Sequence, residues 1–414
     1  MELKPGYKQT EVGVIPEDWC DGPLGRHVRI TSGESPSGIR FSGSGIPYFK
    51  VEQLSNSEKY LSLFSTPYHF EKGKTVPRGS VIFAKRGAAI ALNKVRILTH
   101  ESFMDTNLMA LTPDDELDGE FLYYALGYIG LWQFADTTSV PQINNKHIKP
   151  LIFPLPPTID EQRAIATALS DVDALLDGLD RLIAKKRDLK QAAMQQLLTG
   201  KTRLPGFEGE WERKILGDYG VFMKGSGIKK DEAKSGEIPC VRYGELYTKH
   251  HEYIKSFYSF ITSDVAKTAV RLKQGDILFA GSGETKEEIG KCAVFLEECE
   301  AYAGGDIVIF RPEELDSLFL GFYLNTADAN QQKSRKGQGD AVVHISASAL
   351  SNLVVYLPIY MKEQTAIASV LSDIDAEIVA LEQRRAKTAS LKQAMMQELL
   401  TGKTRLVKAG ALYA

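Results

Sequence analysis

Residues 161–204 read EQRAIATALSDVDALLDGLDRLIAKKRDLKQAAMQQLLTGKTRL, and residues 363–406 repeat them as EQTAIASVLSDIDAEIVALEQRRAKTASLKQAMMQELLTGKTRL. The two stretches align without a gap at a constant offset of 202, and 27 of their 44 positions are identical. Agreement of this extent indicates an internal duplication. We therefore expect two halves with a common fold, each containing one copy of the stretch.

Each copy predicts one long helix, because its apolar residues recur at the alternating spacings of four and three that form a coiled-coil seam. Glu-Gln follows a proline-containing segment, LPPTIDEQ (155–162) or LPIYMKEQ (357–364), and suits a first helical turn. In the closing TGKTRL, Gly200 or Gly402 can adopt the left-handed conformation that ends a helix. About 40 residues give a rod of about 60 Å. We expect the two seams to pack on each other; they consist of Ile165, Leu169, Val172, Leu176 and Leu179 in the first copy and Ile367, Leu371, Ile374, Ile378 and Leu381 in the second.

Residues 19–154 and 211–356 have a different texture, in which short β-rich runs alternate with Gly and Pro turns and each stretch also contains one predicted helix. This pattern predicts two mixed α/β globules. They match each other only weakly: Trp19 aligns with Trp211 at an offset of 192, and Gln142 with His344 at 202. The repeated helices therefore face similar surroundings, and the diverged globules face different ones. Decay of one half is the alternative, but both halves keep intact apolar patterning.

Composition excludes several classes of protein. The 414 residues, 43% hydrophobic and 25% charged, indicate a globular protein of more than one domain. No apolar run is long enough to span a membrane, and the polar N-terminus lacks the core of a secretory signal. The four scattered cysteines form no CxxC pair, which argues against a zinc site or a disulfide framework and favours the cytoplasm. A net charge of −3 does not decide for or against nucleic-acid binding, since a base reader needs only local positive charge.

Enzyme signatures are weak, and the sequence predicts no catalytic residue and no metal site. The Gly-rich loop and the NPPY-type pocket of an S-adenosylmethionine-dependent methyltransferase are missing, and the GSG strings at 43–45, 225–227 and 281–283 read as turns. Asp276, Glu284 and Lys286 have the spacing of a D…ExK nuclease site. The first half has Ser80 at the position equivalent to Asp276, so this pattern is not part of the shared design.

Clusters of basic and amide side chains in both globules fit contacts to DNA. Arg and Lys pair with guanine and Asn or Gln with adenine in the major groove, while other basic residues hold phosphates. Lys50 and Arg242 occupy equivalent positions in the two halves, as do Gln142 and His344. The candidates are Lys50, Gln53, Lys85, Arg86, Asn93, Lys94, Gln142, Asn144, Asn145 and Lys146 in the first half, and Arg242, Tyr243, Ser282, Glu284, Thr285, Lys286, Lys333, Arg335, Lys336, Gln338 and His344 in the second.

Over essentially its full length the chain resembles the DNA-specificity subunits of type I restriction-modification systems. The matching features are PGYKQTEVGVIPEDW at 5–19, the two LP…EQ segments, the two helices ending in LLTGKTRL, and two dissimilar globules that open at Trp19 and Trp211. The second segment departs from the pattern, since Ile359-Tyr360 replaces the second proline. The resemblance implies an α+β protein in which two target-recognition domains are joined by two long antiparallel helices with pseudo-twofold symmetry. The expected organisation is an N-terminal segment 1–18, recognition domains 19–154 and 211–356, long-helix segments 155–204 and 357–408, and a linker 205–210.

The resemblance also implies a function. Each domain would read one half of a split, asymmetric site in double-stranded DNA, and the subunit itself would be non-catalytic and bind no cofactor. Two methyltransferase subunits and the motor-nuclease restriction subunits would dock on it and contain the S-adenosylmethionine, ATP and Mg²⁺ sites of a DNA-modification and phage-defence system. The alternatives are a specificity chain of a related restriction or phage-defence system, a stand-alone DNA-binding scaffold, and a nuclease.

Overall fold

The computed structural model describes residues 3, 5–35, 44–71, 74–137, 140–339 and 342–406. The chain forms two compact units. Unit 1 consists of Met1–Asp180 together with Gln383–Ala414, and unit 2 is Arg181–Glu382. Each globule lies within one unit, but each long helix is divided between both. The helical segments expected as separate regions therefore contribute one half to each unit.

Unit 1 contains a five-stranded sheet in the order β4-β11-β8-β9-β6, a three-stranded sheet β10-β5-β7, and the pairs β1-β2 and β12-β3. Its strands are β1 (Tyr7–Thr10), β2 (Gly13–Pro16), β3 (Cys20–Pro23), β4 (Val28–Ser32), β5 (Ile46–Phe49), β6 (Tyr60–Leu61), β7 (His69–Phe70), β8 (Val81–Ala84), β9 (Arg96–Leu98), β10 (Phe103–Met104), β11 (Leu108–Pro113) and β12 (Ile152–Leu155). Its α-helices are α1 (Gly119–Ile129), α2 (Asn145–Ile148), the first part of α3 (Ile159–Leu197) and the last part of α9 (Met361–Leu399).

Unit 2 contains the four-stranded sheets β14-β22-β18-β20 and β16-β15-β21-β17, with the pairs β13-β24 and β19-β23. Its strands are β13 (Glu212–Ile215), β14 (Gly220–Lys224), β15 (Ile238–Val241), β16 (Ser259–Ile261), β17 (Val270–Arg271), β18 (Ile277–Ala280), β19 (Ser282–Gly283), β20 (Cys292–Val294), β21 (Tyr302–Ala303), β22 (Ile307–Pro312), β23 (Val343–His344) and β24 (Val354–Leu357). Its α-helices are the last part of α3, then α4 (Tyr243–Thr248), α5 (Ser263–Ala266), α6 (Ser317–Tyr323), α7 (Ala327–Lys336), α8 (Ala347–Ser351) and the first part of α9.

The duplication is visible in the strand order. The order β4-β11-β8-β9 of unit 1 is matched by β14-β22-β18-β20 of unit 2, and the pair β3-β12 is matched by β13-β24. The apolar run at β8 is buried at all four positions, with Val81 and Phe83 in one cluster and Ile82 and Ala84 in another. Alternate side chains of a strand face opposite sides of the sheet, so β8 contributes to two cores, one of which includes α1.

Both long helices form as predicted, with 39 residues each. In unit 1, Asp173 pairs with Lys392 at 2.5 Å, and Asp180 pairs with Arg385 at 2.6 Å. Residue numbers rise along α3 as they fall along α9, so the two segments run antiparallel. In unit 2 the equivalent Lys190 pairs with Asp375 at 2.9 Å and Arg187 pairs with Glu382 at 2.6 Å, again in antiparallel order. The antiparallel arrangement is therefore confirmed inside each unit.

The seam residues do more than bury one another. Ile165 and Leu169 lie in the core of the unit 1 globule, together with Leu399 and Leu400 from the end of α9. The seam positions are not all equally buried. In α3, Ile165, Leu169 and Leu179 are buried, whereas Val172 and Leu176 are half-buried; in α9, Ile367, Leu371 and Ile378 are buried, whereas Ile374 and Leu381 are half-buried. The seam therefore attaches each helix to its globule as well as to the opposite helix.

The near-identical ends of the repeat form one ionic lock in each unit. In unit 1, Arg405 binds the buried Glu161 carboxylate (Nη2 to Oε2, 2.8 Å) and also Asp18. In unit 2, Arg203 binds the equally buried Glu363 carboxylate with two hydrogen bonds of 2.5 and 2.6 Å. Hydrogen bonding to Glu363 raises the pKa of Arg203. The arginine at the end of one copy therefore fixes the glutamate at the start of the other copy.

The neighbouring glutamines tie each long helix to its globule. Gln162 accepts a hydrogen bond from the Asp118 backbone N–H (2.7 Å) at the start of α1, and Gln364 accepts one from Asp316 (3.0 Å) at the start of α6. Gln364 also donates to the Pro358 carbonyl at 3.2 Å, as Gln162 does to Pro156. The replacement by Ile359-Tyr360 therefore leaves this local geometry unchanged.

The helix stops are also confirmed. Gly200 and Gly402 have φ values of 67° and 69°, in the left-handed region that favours glycine. A Cβ at Gly402 would lie 2.5 Å from Pro16 Cδ, and one at Gly200 would lie 3.1 Å from the Trp211 ring. The predicted ends of the helices are therefore fixed both by backbone conformation and by close packing.

Candidate nucleic-acid interface

The two units carry the same backbone frame at the end of the central sheet strand, β8 or β18. In unit 1 the Lys85 N–H donates to the Asn107 carbonyl, and the Ile143 N–H donates to the Lys85 carbonyl, both at 2.8 Å. Gln142 and Asp136 exchange two backbone hydrogen bonds of 2.9 and 2.8 Å. Arg86 is bridged to Gln142. We call these residues the strand-end frame of unit 1.

Unit 2 repeats this frame bond for bond. The Gly281 N–H donates to the Asp306 carbonyl at 2.8 Å, and the Ile345 N–H donates to the Gly281 carbonyl at 3.0 Å. His344 and Gln338 exchange hydrogen bonds of 2.8 and 2.9 Å, and Ser282 pairs with His344. The two units therefore have the same backbone arrangement at this place but carry different side chains on it.

Two cavities flank the frame of unit 2. One of about 330 Å³ is lined by Ser282, Lys336, Gln338 and His344, four of the sequence candidates. The Ser282 hydroxyl lies 2.9 Å from His344 Nδ1, which fixes the orientation of that imidazole. Ser282 is itself only 5% exposed, so it orients His344, and the side chains of Lys336, Gln338 and His344 offer the hydrogen-bond donors and acceptors of the kind that contact base edges.

The second cavity, of about 560 Å³, is strongly basic. Arg242 and Tyr243 line it, together with Lys229 and Lys230. Arg242 stands at the start of α4, where its backbone N–H donates to Glu245 at 3.1 Å. Lys224 and Asp306 line both cavities, so the two form one continuous surface within unit 2. Its concentration of cations suits phosphate contacts.

In unit 1 the frame positions several candidates side by side. Lys85 is half-buried and Arg86 is exposed. Burial lowers the pKa of Lys85, although the nearby Asp105 carboxylate acts in the opposite direction. Asn144 begins α2, which carries Asn145 and Lys146 directly after the frame. Lys50 stacks over the Tyr68 ring at 3.9 Å, and Lys94 donates to the Ser55 hydroxyl at 2.7 Å.

Three candidates have structural roles instead, because their polar atoms bind backbone groups. Gln53 is only 5% exposed and accepts the Lys50 N–H at 3.0 Å. The Asn93 side chain donates to the Gly127 carbonyl and accepts the Leu131 N–H, both at 3.1 Å. Lys333 is fully buried and donates to the carbonyls of Gly290 and Leu324 at 2.7 and 2.8 Å. These contacts give the three residues a role in holding the local fold.

The remaining candidates lie on exposed surface outside both cavities. Glu284, Thr285 and Lys286 are exposed in the loop between β19 and β20. Arg335 is exposed on α7 and lines neither cavity. These four residues therefore line neither cavity.

The nuclease interpretation of Asp276 is not supported by its surroundings. The Asp276 side chain is fully buried and accepts two hydrogen bonds from Arg311, of 2.7 and 2.8 Å. It also accepts the Lys273 N–H at 2.8 Å. Glu284 lies beyond the other end of β18. The carboxylate is thus occupied by a structural ion pair, whose hydrogen bonds raise the pKa of Arg311.

One group of potential metal ligands occurs in the described part of the chain. Ligand atoms of His27, Asp114 and Glu116 lie within 4.8 Å of one another. His27 Nδ1 is 3.5 Å from each carboxylate, and both acids are exposed. This geometry is that of a polar surface cluster in which one imidazole faces two carboxylates.

Comparison with known proteins identifies the family. A family model for the type I restriction modification DNA specificity domain matches residues 16–185 and 208–392. The chain belongs to this specificity family. Each match covers one globule with part of the long helix that follows it, so the family domain occurs twice, as the duplication predicts.

Relatives of this specificity-family chain match it along nearly their whole length. The type I restriction enzyme MjaVIII specificity subunit of Methanocaldococcus jannaschii is 24% identical over 427 residues, covering 97% of this chain and 96% of that protein. The putative MjaX specificity subunit of the same organism is 24% identical over 430 residues, covering 97% of each chain.

Solved structures show the same fold. The S subunit of a type I restriction-modification system from M. genitalium has a TM-score of 0.59 at 17% identity, covering 96% of this chain and 98% of that one. A chain from a structural study of complex assembly and conformational transition of the type I system has the same TM-score and identity, covering 94% of this chain and 99% of that one. The predicted α+β architecture is thereby confirmed.

Four residues of the interface were missed from the sequence. Lys224, Lys229 and Lys230 line the basic cavity, and they flank the GSG string at 225–227 that reads as a simple turn. The available signal was the KGSGIKK run itself, in which lysines enclose a glycine turn. Asp306 gave no signal, since an acidic residue in a Gly-Gly-Asp turn is ordinary.

Among the helices that the described residues form, none has the length and apolar character needed to cross a membrane.

Proposed function

We propose that this chain is the DNA-specificity subunit of a type I restriction-modification enzyme, and that each unit reads one half of a bipartite, asymmetric site. The observation that carries the proposal is the strand-end frame. Its backbone hydrogen bonds are the same in both units, while its side chains differ at equivalent positions. Two domains that recognise different base sequences can use the same backbone scaffold if the hydrogen-bonding side chains on it differ.

We assign the DNA contacts to this chain and the chemical steps to its partner subunits. The basic cavity would hold phosphates, and the frame would face base edges. The chain would carry out no catalysis and bind no cofactor in the cytoplasm. Two methyltransferase subunits and the motor-nuclease subunits would dock on it and supply S-adenosylmethionine, ATP and Mg²⁺ chemistry. The relatives named as type I specificity subunits support this assignment.

A binding experiment tests the proposal. The full chain, assembled with the methyltransferase subunits of its host, would be incubated with a random DNA library and the bound sequences determined. We expect a split motif with an unread gap. Arg242→Ala should weaken binding to the selected site about tenfold to a hundredfold if it contacts a base, and weaken all DNA evenly if it contacts phosphate. Arg271→Ala is the matched control, because Arg271 is exposed in the same unit but lines neither cavity.

Three results would count against the proposal. The absence of any selected motif would exclude sequence reading. A motif without a gap would exclude two separate readers. Cleavage or methylation by the purified chain alone, with Mg²⁺ and S-adenosylmethionine present, would show that it is an enzyme.

A further inference from the structure

Asp306 is an exposed acidic residue in the most basic part of unit 2. It lines both cavities of the interface, one with Lys336 and the other with Arg242. Among the described residues, its carboxylate makes no ion pair within 4.0 Å and accepts no hydrogen bond. An acid that neither pairs with its basic neighbours nor caps its own turn has no evident structural role here.

A carboxylate at this place would oppose phosphate binding. Coulomb repulsion between two negative groups disfavours a backbone phosphate next to Asp306. The group that a carboxylate does accept in DNA is the exocyclic amine of a base, and cytosine N4 is the major-groove donor suited to Asp. The negative charge of Asp306 therefore favours a contact to a base amine over a contact to a phosphate.

The fold leaves this carboxylate uncovered. Asp306 stands opposite Gly281 in the strand-end frame, and the Gly281 N–H donates to the Asp306 carbonyl at 2.8 Å. A Cβ on Gly281 would lie 2.9 Å from that carbonyl oxygen, so a side chain could be added there only if the backbone shifted. The position opposite Asp306 thus carries no side chain that could cover it.

Unit 1 places a different group at the same point. Asn107 accepts the equivalent hydrogen bond from the Lys85 N–H at 2.8 Å and is half-buried. An amide pairs with adenine through N6 and N7, whereas a carboxylate accepts from cytosine N4. The exchange between Asn107 and Asp306 therefore replaces an amide by a carboxylate on an equivalent backbone, and these two groups suit different bases.

We infer that Asp306 and Asn107 are specificity-determining residues, with Asp306 accepting a hydrogen bond from the exocyclic amine of a cytosine in one half-site and Asn107 pairing with an adenine in the other. This inference rests on the proposed function and adds a chemical identity to one position of each reader. It differs from the sequence candidates, which did not include either residue.

Asp306→Asn tests the inference in the full chain assembled with its methyltransferase subunits. The wild type and the variant would be compared by selection from a random DNA library and by binding to oligonucleotides that vary one base pair at a time. We expect the variant to lose its preference for cytosine at a single position, by about tenfold to a hundredfold, with the rest of the motif retained. Asn107→Asp should change one position in the opposite half-site.

Asp264→Asn is the matched control, because it removes the same charge from an exposed aspartate of α5 that lines neither cavity. It should leave every position of the motif unchanged. Equal thermal stability of the variants would establish that the fold is intact. If the amide introduced by Asp306→Asn itself forms a hydrogen bond to DNA, Asp306→Ala provides a second test.

The outcomes separate this inference from the proposed function. A variant that binds all DNA more tightly without a change of motif would show that Asp306 only repels phosphate and would overturn the inference. An unchanged motif and affinity would also overturn it. A wild type that selects no motif would refute the proposed function itself.

Discussion

Removing the arginine of the unit 2 lock should be more damaging than neutralising its glutamate. The Glu363 side chain is fully buried, whereas the Arg203 side chain is 20% exposed. Arg203→Ala would leave the carboxylate buried without its two charged hydrogen bonds. Loss of one partner of a buried ion pair costs about 3–5 kcal/mol. That is a large share of the stability of an ordinary domain, which is about 5–15 kcal/mol.

The reverse substitution should cost less. Glu363→Gln keeps an oxygen that can accept from Arg203, and the partly exposed guanidinium can turn towards water. We expect a loss of about 1.5–3 kcal/mol, the range of a hydrogen bond to a charged group. The double variant Arg203→Met, Glu363→Met should be considerably more stable than Arg203→Ala, because an apolar pair can often replace a buried ion pair without loss of stability.

Denaturant unfolding of the full chain would measure these differences, and hydrogen exchange would show which unit is affected. Unit 2 amides near the lock should lose protection, and unit 1 amides should not. The reasoning would be refuted if Arg203→Ala stayed within about 0.5 kcal/mol of wild type, the usual range for a surface substitution. It would also be refuted if Glu363→Gln proved the more harmful change.

Two further predictions concern single residues of the fold. Burial lowers the pKa of Lys333 to about 8 from 10.5. Between these two pH values the unfolded chain still holds the Lys333 proton, whereas the folded chain has released it. The free energy of unfolding should therefore rise with pH across this window. Denaturant unfolding from pH 7 to 10 should show a steeper rise for wild type than for Lys333→Met, and equal slopes would contradict the burial argument. Gly402→Ala should lower stability by more than the roughly 1–2 kcal/mol of a left-handed non-glycine residue, because its Cβ would also meet Pro16 at 2.5 Å. Gly200→Ala, whose Cβ meets the Trp211 ring at 3.1 Å, should be milder, and thermal unfolding that ranked the two in the opposite order would argue against the packing explanation.

The large features of this chain could be predicted from sequence because they are periodic or repeated. The offset of 202 between the two copies revealed the duplication, and the seam spacing gave the two long helices. Gly200 and Gly402 marked the helix ends correctly because few other residues adopt φ values near 70°. These signals can be recognised in the sequence itself, without knowledge of tertiary contacts.

The interface could be predicted only in part, because its residues come from distant segments. Ser282 and His344 are 62 positions apart, and only the sheet brings them together. Residue type alone could not distinguish Lys336, which lines a cavity, from Lys333, which is fully buried three positions earlier in the same helix. Asp306 carries no signal in the sequence, and its place in the strand-end frame becomes evident only when the backbone hydrogen bonds of both units are compared.

The division of the long helices between the units could also not be read from sequence. The repeat suggested that each copy is a separate element, but the ionic locks join the end of one copy to the start of the other. Arg405 and Glu161 are 244 positions apart. Only the tertiary structure shows why both ends of the repeat are conserved between the two copies.

Exchange of one globule tests the central claim of two separate readers most directly. Residues 19–154 would be replaced by the equivalent globule of a related chain, and the methylated sites of the host genome would be determined with the original and the exchanged subunit. The account predicts that one half of the bipartite motif changes while the other half is retained. A methylome in which both halves change, or in which neither does, would contradict it.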